Sequence, residues 1–171
     1  MTIWFTADTH FGHGGALGRF KRPFASVDEM DEAMVARWNE TVGARDDVWH
    51  LGDFAYRAKP ARMADLLARL KGHKHLVTGN NDGSDTARLS AWASVQAYHE
   101  MELGGVRLVL CHYPFRTWNG MYKGALNLHG HSHGQLAGLT RQVDVGVDVW
   151  DFVPITLETI RSRRQPQSTH R

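Results

Sequence analysis

Five polar clusters, each set just after a short apolar run, restrict the fold of this chain more than any other feature. They are Asp8-Thr9-His10, Gly52-Asp53, Gly79-Asn80-Asn81-Asp82, His112 and Gly130-His131-Ser132-His133. The apolar runs ahead of the first three, at 2–7, 47–51 and 75–78, have the length of strands, and helical patterns separate them. Ser26 with Glu29 reads as a capping box before Val27, Met30, Met34 and Trp38, which predicts a helix over 27–42 closed by Gly43. Pro60 suits the first turn of a second helix, whose apolar stripe is Met63, Leu66, Leu67 and Leu70. Such alternation predicts a sheet that collects its chemistry beyond the carboxyl ends of the strands.

The second half reads differently. A short helix is expected near 85–93, then a hairpin formed by 95–103 and 106–112 around Gly104-Gly105. Segments 125–128 and 142–149 read as further strands, the latter because Val145, Val147 and Val149 alternate with Gly146 and Asp148. A last strand or short helix is expected over 155–163. With 171 residues the chain suits one domain, over 1–163, followed by an Arg-containing tail at 164–171 expected to be disordered.

Charge narrows the function classes. Four of the 20 Lys and Arg lie from Arg161 onward with no acid among them, so residues 1–160 carry 16 cations against 18 acids. The broad basic surface of a nucleic-acid binder is therefore weak. No apolar run reaches the roughly 20 residues that a membrane helix needs. The lone Cys111 cannot form an internal disulfide, and the first residues do not read as a signal peptide, so a cytoplasmic location is expected.

The informative excess is histidine, with 11 in the chain. In extended backbone, positions i and i+2 turn to the same side, so Asp8 with His10, and His131 with His133, can work as pairs. Together the clusters offer two carboxylates (Asp8, Asp53), the amide oxygen of Asn80, and the imidazoles of His10, His112, His131 and His133. Seven ligands exceed what a single catalytic ion with an open position takes. They suit two ions about 3.5–4 Å apart that share a bridging carboxylate. Oxygen and nitrogen ligands without thiolate favour Mn, Fe, Zn or Ni, with Mn favoured. His50, His73, His75, His99 and His170 read as ordinary core or surface residues, and His129 is not read as a ligand.

In order and spacing these blocks resemble the calcineurin-like metallophosphoesterase superfamily. The run Thr6-Ala-Asp-Thr-His-Phe-Gly-His13, with His112-Tyr-Pro and Trp118, is similar to small bacterial and phage phosphoesterases within it. The resemblance spans residues 8–133. It implies a four-layer α/β/β/α sandwich, with Asp8, His10 and His133 at one ion, Asn80, His112 and His131 at a second, and Asp53 bridging them. It also implies a phosphoester hydrolase in which a metal-bound hydroxide attacks phosphorus in line, with no covalent phosphoenzyme.

One position departs from the pattern. The superfamily's usual Gly-Asn-His-Asp or Gly-Asn-His-Glu block has Asn81 in place of its histidine, and an amide cannot deliver a proton to a leaving group. His13, five residues after Asp8, is the candidate substitute acid, and Arg116 is a candidate phosphate clamp. The chain has little room for a cap domain, so phosphodiesters are favoured over phosphomonoesters, with a nucleotide or nucleic-acid end as a possible substrate. A non-hydrolytic, metal-bearing interaction scaffold of the same fold is the alternative, suggested by Asn81 alone. The oligomeric state is left open.

Overall fold

Two faces of one strand separate the two main cores of this protein. In the computed structural model, which describes residues 1–164, Val48 points to a helix-covered core and its neighbour Trp49 to the opposite side. That is the alternation a strand buried on both faces requires. Strands β1 (Ile3–Thr6), β2 (Asp47–His50), β3 (His73–Val77) and β4 (Trp92–Gln96) pair in parallel in the order 4-3-2-1. Strands β5 (His99–Leu103), β6 (Val106–Leu110), β7 (Leu126–His129) and β8 (Gln142–Asp144) make a second sheet in chain order, parallel except for the β5–β6 hairpin. The two-residue β9 (Ile155–Thr156) closes the first sheet, antiparallel to β1.

Helices α2 (Val27–Thr41) and α3 (Pro60–Arg69) follow their sequence signals, whereas α1 (Gly14–Arg19) lies mostly in a stretch, 8–18, whose glycines read as loop. Ser26 caps α2 by accepting from the Glu29 N–H at 3.1 Å, while the Glu29 carboxylate reaches Ala25 N rather than Ser26 N. Met30, Met34, Val35 and Trp38 of α2 and Met63, Leu66 and Leu67 of α3 cover the outer face of the first sheet. Between the sheets, Phe5, Leu51 and Val77 meet Leu108, Leu110 and Leu128, and α5 (Leu157–Arg164) adds Leu157 and Ile160. The expected sandwich thus holds. Its fourth layer is a loop over 113–125 with one 3-10 turn, set on Val109 and Ala125 through Trp118. Buried Asn127 fastens that loop by accepting from Phe115 N at 3.0 Å.

Three expected elements are corrected. Segment 95–103 is not one strand: β4 ends at Gln96 in the first sheet, and β5 begins at His99 in the second. A single ladder cannot serve two sheets, so the chain crosses between them at 97–98; the hairpin at Gly104-Gly105 stands, both glycines with positive φ. The helix expected near 85–93 is one turn, α4 (Ser84–Ala87), because Trp92 already enters β4. Segment 142–149 pairs only through Asp144, after which Gly146 bridges Ala7 and Val147–Val149 forms a 3-10 turn. Val145 then packs between the sheets and Val147 under the helices, so their alternation reflects a crossing between cores. The expected tail lies outside the described residues, apart from the backbone of residue 164.

Candidate metal centre

The loops after β1, β2, β3, β6 and β7 meet at one rim of the sandwich. Backbone bonds zip them together: Asp8 N to Gly52 O at 2.9 Å, His10 N to Asp53 O at 3.0 Å, and Gly130 N to His112 O at 3.0 Å. Among the described residues, ten non-glycine positions have positive φ, and five of them are Asp8, His10, Asp53, His131 and His133. That conformation is uncommon without glycine and concentrates at functional sites. Gly52 is required on two counts: its φ is +93°, and a Cβ there would lie 2.6 Å from both Gly79 N and His112 Nδ1. Gly79 needs no unusual backbone, but a Cβ on it would collide with the Asp53 carboxylate.

All seven expected ligands converge. Asp53 lies in the middle, with His10 Nε2 3.5 Å from Oδ2 and His112 Nε2 3.6 Å from Oδ1. Asn80 Oδ1 and His131 Nδ1 stand 3.0 and 3.2 Å from His112 Nε2. One potential donor atom each from Asp8, His10 and His133 falls within 4.8 Å of the others, and so does one each from Asp8, Asp53 and His112.

The residues fit a cation. Asp8 Oδ1 and His10 Nε2 are buried without a hydrogen-bond partner, a condition proteins avoid unless something else satisfies the atoms. His112 Nδ1 faces the Leu51 carbonyl at 2.8 Å and must donate to it. Burial lowers the pKa of His112, which favours the neutral ring, and Nε2 then turns a lone pair toward the oxygens of Asn80 and Asp53. Lone pairs that converge on lone pairs call for a positive ion between them. Burial, then repulsion from Asp144 and Asp53, raises the Asp8 pKa well above the usual carboxylate value, and a cation would relieve both. Burial first, then Arg22 and the neighbouring histidines, lowers His10 to about 2, which keeps the ring neutral and able to ligate at physiological pH.

Other expected residues fall differently. A cleft of about 430 Å³ is lined by His10, Asp53, Asn80, His131 and His133, and also by His13 and Asn81. Asn81 donates its backbone N–H to Asp53 Oδ1 at 2.8 Å and its side-chain amide to Oδ2. His13 sits with Nδ1 3.3 Å from His10 Nδ1 and its ring 4.2 Å from that of Tyr56. Arg116 is exposed and is not among the residues lining this cleft; Arg19 is. His129 is buried, with Nδ1 against the Gly130 carbonyl at 2.7 Å, and props the backbone before His131. His50 is a core residue, its Nε2 bonded to Thr9 Oγ1 at 2.9 Å.

Several contributors escaped the sequence reading. Asp82 accepts from the N–H groups of Asp53, Phe54 and Gly79 at 2.7, 3.0 and 2.8 Å, tying the second cluster to the third. Its place in the Gly-Asn-x-Asp block was the available signal. Asp148 accepts from His133 Nδ1 at 2.7 Å and from Arg22, and neither residue stood out by spacing.

Residues 1–150 match the calcineurin-like phosphoesterase superfamily domain. The gene 66 protein of Mycobacterium phage D29 is 32% identical over 90% of this chain and 92% of its own. An uncharacterised protein of Methanocaldococcus jannaschii is 27% identical over 92% of this chain and 88% of its own. In shape, the crystal structure of an Aquifex aeolicus protein of unknown function superposes with a TM-score of 0.77, at 22% identity, over 94% of this chain and 98% of that one. With a family match across most of its length, the chain belongs to the calcineurin-like phosphoesterase superfamily.

Proposed function

We propose that this metal-dependent phosphoesterase prefers phosphodiesters, and that its cleft holds two ions: Asp8, His10 and His133 at one, Asn80, His112 and His131 at the other, with Asp53 between them. Mn²⁺ suits this oxygen and nitrogen donor set. When bound, such ions supply a nucleophilic water at neutral pH and offset charge on the phosphoryl oxygens. The protein's own part is to hold seven donors in place, with burial lowering the pKa of His10, His112 and His131. Asn81 cannot serve as the acid, and its amide is engaged with Asp53. His13, on the cleft wall, remains the candidate proton donor, a weak one because burial, then Arg22, lowers its pKa.

The observation that carries the diester preference is the cleft's charge. Among the described residues lining it, Arg19 is the only Lys or Arg, and it has no ion pair or hydrogen bond there. A dianionic monoester gains from several cations, whereas a monoanionic diester needs fewer and profits from open walls. A short nucleotide or a nucleic-acid end fits such a cleft. The full set of ligating side chains favours hydrolysis over the scaffold alternative. The test compares bis(p-nitrophenyl) phosphate with p-nitrophenyl phosphate under Mn²⁺; higher kcat/KM for the diester is expected, and a strong monoester preference would overturn the proposal.

A further inference from the structure

The Arg22 side chain is fully buried beside the centre, yet it lines no part of the cleft. Its Nε and Nη2 grip Asp148 at 2.8 and 2.9 Å. Two further bonds go to backbone carbonyls of the first cluster, Nη1 to Thr9 O at 2.8 Å and Nη2 to Asp8 O at 2.6 Å, and Nη1 also reaches Met30 Sδ at 3.5 Å. Asp148 in turn receives the Nδ1–H of His133 at 2.7 Å, which leaves Nε2 of that ring as the free donor atom. Phe20 stacks on the same imidazole, 3.6 Å between centroids and 11° from parallel. A buried ion pair is a weak source of stability, because desolvation offsets much of its attraction. This one joins three segments that each carry or hold a ligand.

We propose that Arg22 and Asp148 are positioning residues for one of the two ion positions only, the one formed by Asp8, His10 and His133. The inference rests on the ligand reading above. Hydrogen bonds from a ligating histidine to a carboxylate fix its tautomer and orientation, and their loss typically costs 10–100-fold in metal affinity. The guanidinium holds that carboxylate in a fixed plane, as a bidentate pair does, and pulls the Asp8–Thr9 backbone to the same point. The other position needs no such clamp. Its His112 is oriented by a backbone carbonyl, that of Leu51.

The experiment is a Mn²⁺ titration of wild type, Asp148→Asn, Arg22→Lys and the core variant Leu67→Ala, read by elemental analysis and electron paramagnetic resonance. Wild type is expected to take about two ions per chain with a spin-coupled spectrum. Asp148→Asn and Arg22→Lys should each retain one tight ion, bind the other about 10–100-fold more weakly, and show isolated Mn²⁺ signals. Leu67→Ala, destabilised but remote, should keep both. Should Arg22→Lys not fold, Asp148→Asn decides alone. Unchanged affinity at both positions in Asp148→Asn would overturn the proposal, as would equal weakening of both ions or loss of one in Leu67→Ala. Wild type that binds fewer than two ions would instead sink the ligand reading beneath it.

Discussion

Asn81 holds Asp53 by two hydrogen bonds, one from its backbone N–H to Oδ1 and one from its side-chain amide to Oδ2. Asn81, which stands where the Gly-Asn-His-Asp pattern has its histidine, is therefore turned toward the Asp53 carboxylate, and its amide has no proton to give a leaving group. Turnover should depend steeply on how well the leaving group departs by itself. Across a series of aryl methyl phosphodiesters, wild-type kcat/KM should fall sharply as the leaving-group pKa rises. Asn81→His should flatten that slope and raise turnover of the most basic leaving groups by about 10²-fold, the lower range of general acid help. Parallel slopes in the two proteins would contradict this reading.

Among the described residues, Arg19 is the cation that lines the cleft, and Arg116 does not line it. Arg19→Ala should raise KM for a diester about tenfold, the lower range for losing a charge-assisted hydrogen bond, with little change in kcat. Arg116→Ala should leave both constants near wild type. The reverse pattern in steady-state kinetics would restore Arg116 as the clamp.

Gly79 has no room for a methyl group, because a Cβ there collides with the Asp53 carboxylate and the Asp53 backbone N. Gly79→Ala should therefore displace the Asp53 carboxylate and, if that group is shared as proposed, weaken Mn²⁺ binding at both positions, measured by calorimetric titration. Retention of wild-type affinity would show that the loop yields without cost.

His50 predicts a pH dependence of stability. Thr9 Oγ1 gives its proton to the Phe54 carbonyl at 2.7 Å, so His50 Nε2 donates to Thr9 and Nδ1 is left bare and buried. Burial, with a smaller contribution from His112, pushes the His50 pKa down to about 3. The unfolded chain takes up a proton below about 6.5 and the folded one does not, so this contribution is intact above 6.5 and is lost as pH falls toward 3. His50→Gln keeps the bond to Thr9 without titrating. Between pH 7.5 and 5, metal-free wild type should lose about 2 kcal/mol relative to that variant in urea unfolding. A difference independent of pH would contradict the assignment.

How much of this was readable beforehand follows from the range of the interactions. Asp8 with His10, and His131 with His133, announce themselves because each pair is local and follows an apolar run. The partnership of Arg22 with Asp148 joins residues 126 positions apart. Nothing in the loop around Lys21 and Pro23 distinguishes a buried arginine from a solvated one, and Asp148 was hidden in an alternation that imitates a strand. The break between β4 and β5 was invisible for a related reason. Ala97-Tyr98 contains no glycine or proline, and the crossing is imposed by which sheet each half can pair with.

In the proposed function, Asp53 lies between two ions that the protein needs for hydrolysis. The decisive measurement is the metal content of wild type and Asp53→Asn after Mn²⁺ loading and desalting, with bis(p-nitrophenyl) phosphate turnover measured on the same samples. About two ions per chain in wild type, fewer than one in Asp53→Asn, and turnover that disappears with them is the predicted result. Undiminished turnover by wild type after exhaustive chelation, or full metal content and activity in Asp53→Asn, would contradict it.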